Sequence, residues 1–78
     1  MSISRERKPR FVVCIDNSGY PASLELHKIY RVVVDDAAAE DGDLRIIDES
    51  GEDYLYAGDR FAPIEVHAPV RKSLTHAR

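Results

Sequence analysis

The side chains best suited to chemistry are few and scattered. Three histidines, His27, His67 and His76, and the single cysteine, Cys14, fall at no spacing that would hold a metal ion. No glycine-rich phosphate loop, zinc pattern or nucleophile elbow occurs. Ser18 and Ser50 each sit among turn formers, in Asp16-Asn17-Ser18-Gly19 and Asp48-Glu49-Ser50-Gly51, and turn chemistry accounts for both without a partner histidine. No catalytic, cofactor-binding or metal-ligating residue is therefore expected, and the chain reads as a binding protein rather than an enzyme. Cys14 lies in the apolar run Phe11-Val12-Val13-Cys14-Ile15, where a buried, unreactive thiol is the expectation.

Carboxylates and tyrosines are the more informative groups. Asp35, Asp36, Glu40, Asp41 and Asp43 place five acids within nine residues. Such a cluster would grip a basic peptide through charge-assisted hydrogen bonds; the competing account is a solvated loop kept polar for solubility. The order Asp41-Gly42-Asp43 lacks the alternating acids and distal glutamate of a twelve-residue calcium loop. Tyr20, Tyr54 and Tyr56 would line a surface, or pack with their hydroxyls at a rim. With no tryptophan in the chain, a groove for polyproline ligands is not expected. The candidate partner-binding residues are Asp16, Tyr20, Asp35, Asp36, Asp41, Asp43, Tyr54 and Tyr56, and the expected partner is a protein or peptide of basic character.

Charge is distributed unevenly along the chain. Residues 1–10 carry a net +3 and residues 67–78 another +3, whereas the 56 residues between hold four bases against thirteen acids, a net −9. Two basic, disordered arms on an acidic body are the expected layout. The alternative function is a nucleic-acid binder acting through these tails, of weak and salt-sensitive affinity, which the acidic body opposes. Docking of the tails on a neighbouring copy would give a weak, salt-dependent homo-oligomer in place of a monomer.

The elements that must position these groups are short. Seventy-eight residues allow one domain with a thin core. No apolar run approaches the roughly 20 residues that cross a bilayer, so no membrane partner is expected. The N-terminal ten residues contain no apolar signal segment, and one cysteine permits no internal disulfide; a cytoplasmic setting follows. Phe11–Ile15 reads as a first strand, apolar on both faces. Leu24-Glu25-Leu26 alternates at period two before a tight turn at His27-Lys28. Tyr30, Val32 and Val34 then share one face of a second strand, with Arg31 pointing away. The acidic segment Asp35–Asp43 reads as a loop in which three alanines wind at most one helical turn. Leu44–Ile47 and Tyr54–Tyr56 are strands joined by a hairpin in which Gly51 takes the left-handed position. Residues 57–61 suit a 3₁₀ turn, and Ile64–Val66 a last strand. No amphipathic helix is left to cover a flat sheet, so five strands are expected to close on themselves as an all-β, five-stranded barrel.

That order of a long first loop, tight turn, charged loop, hairpin, 3₁₀ turn and final strand resembles the SH3 domain over residues 11–66. The words Cys14-Ile15-Asp16-Asn17-x-Gly19-Tyr20, Lys28-x-Tyr30 and Asp48-x-Ser50-Gly51-Glu52-Asp53-Tyr54-Leu55-Tyr56 resemble a narrower group of short, uncharacterised bacterial and phage-type proteins. The resemblance implies an SH3-like fold and no activity. It also marks two departures: His27 stands where glycine is usual, implying a strained turn, and Ala57 where proline is usual.

Overall fold

The computed structural model describes residues 10–76. The expected N-terminal arm lies outside the described residues except for Arg10, which opens the first strand instead. The elements in order are β1 (Arg10–Cys14), β2 (Ile29–Val33), α1 (Asp36–Glu40), β3 (Asp43–Ile47), β4 (Asp53–Ala57), a 3₁₀ turn (Gly58–Arg60), β5 (Phe61–Ile64) and α2 (Ala68–His76).

All five strands form one antiparallel sheet in the order β4-β3-β2-β1-β5. Strands β4 and β5 are consecutive in sequence yet stand at opposite edges, and no ladder joins them. The sheet is open, where a closed cylinder was expected. It is nevertheless far from flat. Edge strands four spacings apart would lie about 19 Å from each other in a flat sheet, but only the three-residue 3₁₀ turn connects them. The rings of Tyr56 on β4 and Phe61 on β5 are 6.1 Å apart. The two edges therefore curl toward each other over a shared core.

Register decides which residues fill that core. Val12 faces Tyr30 and Pro63, Cys14 faces Phe61, Val32 faces Ile46, and Leu44 faces Tyr56. Paired residues in a ladder point to the same side, so the even-numbered residues of β1 to β4 converge with Phe61 on one face. Val12, Cys14, Tyr30, Val32, Ile46, Tyr56 and Phe61 are all buried there, with Leu44 packed at the margin. Leu24 plugs the same cluster from the loop before β2 and is completely buried.

Several sequence expectations are revised by these contacts. The period-two alternation of Leu24–Leu26 makes no strand: the amides of Ser23 and Leu24 both donate to the Tyr20 carbonyl, which drives Leu24 inward and leaves Leu26 exposed. Val34 lies beyond the end of β2 and is exposed, so it does not share the face of Tyr30 and Val32. The last strand runs Phe61–Ile64, starting three residues and ending two residues earlier than expected, because the pairing of Cys14 with Phe61 buries that ring. Three alanines do form a helix, α1, since its N-cap Asp35 accepts a hydrogen bond from the Ala38 amide at 3.0 Å. Ala68–His76, expected as part of a disordered tail, is helical. Pro69 falls in the first turn of α2, where a missing N–H leaves no bond unmade, and the Arg71 amide donates to the His67 carbonyl at 2.9 Å.

Two backbone angles in the turns stand out. His27 is left-handed, with φ 68°. Ala57 adopts φ −59°, the angle a proline ring would lock.

Candidate functional site

The loop after β1 is built by its own polar side chains. Asp16 Oδ1 accepts hydrogen bonds from the Ser18 amide at 2.9 Å and the Ser18 hydroxyl at 2.6 Å. The Tyr20 amide donates to the Asn17 carbonyl, and Asn17 Nδ2 donates to the Leu24 carbonyl at 3.0 Å. These bonds hold Tyr20 at the loop's outer turn. Arg60, from the 3₁₀ turn, then clamps the loop from the other side. Its guanidinium donates to the carbonyls of Ser18 at 2.8 Å and Asp16 at 3.2 Å, and it stands 3.7 Å from the Asp16 carboxylate.

Arg60 also lies over the Tyr20 ring, 4.7 Å from its centroid. The ring meets Tyr56 edge-on at 5.1 Å, and Tyr56 meets Phe61 in turn. An aromatic ladder thus runs from the surface to the core, with Tyr20 43% exposed and Tyr56 only 7%. The Tyr56 hydroxyl donates to Asp48 Oδ2 at 2.6 Å, while Ser50 donates its amide and hydroxyl to Asp48 Oδ1. Burial works against the charge of Asp48, but the hydrogen bonds from Ser50 and Tyr56 outweigh it and hold the carboxyl below its usual range. Burial and donation to that carboxylate push Tyr56 up to about 12. The bonds from Ser18, helped by the Arg60 charge, hold Asp16 low as well.

A second polar chain fastens the neighbouring hairpin. Lys28 Nζ and the Tyr30 hydroxyl both donate to Glu49 Oε2, and the Glu25 amide donates to the Tyr30 oxygen at 2.7 Å. Burial, followed by the bond to Glu49, raises Tyr30 well above the usual tyrosine range.

The candidate residues inferred from sequence separate into three groups. Asp16 and Tyr20 are brought together through Arg60. Tyr56 joins them but is buried beneath Tyr20, so it supports the surface rather than forming it. Tyr54 is 50% exposed on β4, on the same strand face as Tyr56, and its hydroxyl donates to Glu52, which raises its pKa. The acids of the 35–43 segment serve structure first. Asp35 caps α1 and takes a hydrogen bond from Arg45 Nε at 2.8 Å; the Ala38 amide and then Arg45 hold its carboxyl low. Asp41 is the C-cap of α1 and Asp43 opens β3. Asp36 remains exposed on the first turn.

The 3₁₀ turn is the junction between these groups. At one end Arg60 holds the Asp16–Tyr20 loop, and at the other the Gly58 amide donates to the Gly42 carbonyl of the acidic segment at 2.8 Å. Arg60, Asp48 and Glu49 were not among the expected site residues. Arg60 lies 42 residues from Ser18 in sequence, and the only available signal was that it is one of four bases in an acidic stretch.

Among the described residues, no group of three or more His, Cys, Asp or Glu side chains is placed to hold a metal ion, and no helix is long and apolar enough to cross a membrane. No family model, curated protein or solved structure matches the chain.

Proposed function

We propose that this protein is an SH3-like binding module that receives a protein or peptide partner on the face centred on Tyr20. The fold-level part rests on the return of β5 beside β1, the curl of the sheet over one core, and the 3₁₀ turn between β4 and β5. The functional part rests on one observation: Tyr20 is exposed and yet immobilised, edge-on to Tyr56 below and under the Arg60 guanidinium above. An aromatic plate held in one rotamer loses little further freedom on binding, which is how rigid tyrosines anchor interfaces.

The exposed Asp59, next to Arg60 in the 3₁₀ turn, and the net −9 of residues 11–66 favour a basic partner through steering rather than tight ion pairing. Asp35 is better left out of that role, since the helix cap and Arg45 already occupy its carboxylate. A buried free thiol at Cys14 fits a reducing compartment such as the cytoplasm.

Selection from a displayed peptide library tests the reading. Enriched peptides should be basic and carry an apolar or aromatic anchor, and Tyr20→Ala should weaken them by about tenfold or more. Asp59→Asn should lower the association rate and its salt dependence. Retained peptide binding in Tyr20→Ala would overturn the proposal. Oligonucleotide binding that is abolished by Arg71→Ala with Lys72→Ala, and unaffected by Tyr20→Ala, would favour the nucleic-acid alternative instead.

A further inference from the structure

Among the described residues, the interior of the curled sheet is not filled along its whole length. At the end where β1 and β3 begin and β2, β4 and β5 finish, a cavity of about 590 Å³ opens between the sheet and α2. Its walls include Val12, Val32, Leu44 and Phe61, four apolar side chains contiguous with the core. Interiors of small domains are packed closely, with few voids larger than a water molecule. An apolar-walled cleft of this size forfeits packing contacts that a chain of 78 residues can ill spare. The size is instead within the range of small-molecule sites.

The rim supplies the polar half of the argument. Arg10, at the start of β1, and Arg71, on α2, both line the cavity. Among the described residues neither belongs to an ion pair, in contrast to Lys28, Arg45 and Arg60. Among the described residues Glu65 is the one acid on the lining, and it is exposed in the segment after β5. Two guanidinium groups against one solvated carboxylate leave the mouth cationic on a body that is otherwise acidic. Arginine forks match carboxylate oxygens in a planar, two-bonded geometry, which a point charge does not.

We infer that this cavity binds a small amphipathic carboxylate, with its aliphatic chain against Val12, Val32, Leu44 and Phe61 and its carboxylate at Arg10 and Arg71. Charge complementarity selects this occupant over an uncharged or cationic chain of equal length, because the hydrophobic contribution is the same for all three. The site lies at the end of the sheet remote from the hairpin and does not depend on the Tyr20 face being a binding surface.

Decanoate, decanol and decylammonium, which share one alkyl chain, are suitable probes for calorimetry and for amide and methyl chemical-shift mapping of the full chain. Decanoate should saturate at submillimolar to millimolar concentration, with shifts centred on Val12, Val32, Leu44 and Phe61. Decylammonium should bind about tenfold more weakly or not at all. The double variant Arg10→Gln with Arg71→Gln should bring decanoate down to the affinity of decanol while leaving decanol unchanged. Leu44→Trp should fill the cavity and abolish both; should that variant fail to fold, the arginine pair decides alone. Equal affinity for decanoate and decylammonium, no saturation, or shifts confined to the Tyr20 face would each overturn the inference.

Discussion

Removing one oxygen atom tests the polar half of the core. Tyr56→Phe keeps the ring, its edge-on contacts with Tyr20 and Phe61 and nearly all of its volume, and deletes only the hydroxyl that donates to Asp48 Oδ2. Asp48 is 6% exposed, so water has little access to replace that donor. A hydrogen bond to a charged group contributes about 1.5–3 kcal/mol, and a buried acceptor left unpaired costs a similar amount. The expected loss is about 2 kcal/mol, which in a domain of this size lowers Tm by roughly 8–16 °C. The effect carries a pH signature. The Asp48 carboxyl titrates below its unfolded value of 3.8 in the folded chain, so its contribution is complete above that value and is lost as pH falls through the folded pKa. The gap between wild type and Tyr56→Phe should therefore narrow in acid. At the alkaline end the sign reverses. Tyr56 rises from 10.0 to about 12, so its protonated state stabilises the fold below pH 10 and that contribution is lost as pH climbs to about 12. Urea denaturation of both proteins at several pH values measures all three features. A loss under about 0.5 kcal/mol at neutral pH, or a gap of constant size into acid, would refute the role given to this bond.

Three further outcomes follow from local geometry. His27→Gly should stabilise the fold by about 0.5–1 kcal/mol, read as a higher urea midpoint at unchanged slope, because φ 68° is strained for a side-chain-bearing residue; a lower midpoint would show that the imidazole makes contacts worth more than the strain. Asp35→Ala should increase amide hydrogen exchange across Ala37–Glu40 while leaving β1 and β5 protected, since the cap and the Arg45 bond both reside on that carboxylate. Cys14 should react with a thiol reagent only at the rate of global opening, so labelling should accelerate in step with urea; fast labelling of the native protein would contradict its complete burial.

Much of the sheet was legible because strand register obeys a period of two. The runs around Phe11, Tyr30, Leu44 and Tyr54 needed only that rule and the turn formers between them. The 3₁₀ turn and the left-handed hairpin glycine were legible for the same local reason. Failures arose where a long-range contact overrode a local pattern. Leu24-Glu25-Leu26 alternates like a strand, yet bonds to Tyr20 coil it so that Leu24 can plug the core. Phe61 enters β5 because Cys14 stands opposite it, a partner 47 positions away. Helix α1 exceeds what three alanines support, because Asp35 is both a cap and the mate of Arg45. The site divided along the same line. Asp16 and Tyr20 share one loop and could be grouped by proximity in the chain, whereas Arg60 reaches them only once β5 lies beside β1.

The amino-acid sequence alone determined that this chain is strand-rich and that its middle stretch is acidic. Those properties follow from residue types and short-range periodicity, which act before the chain has any shape. Folding decided the rest: which tyrosine is a surface and which a support, which acids are spoken for, and where the interior stays open. Each of these turns on pairs of groups far apart in sequence, and their distances are set only when the edges of the sheet curl together.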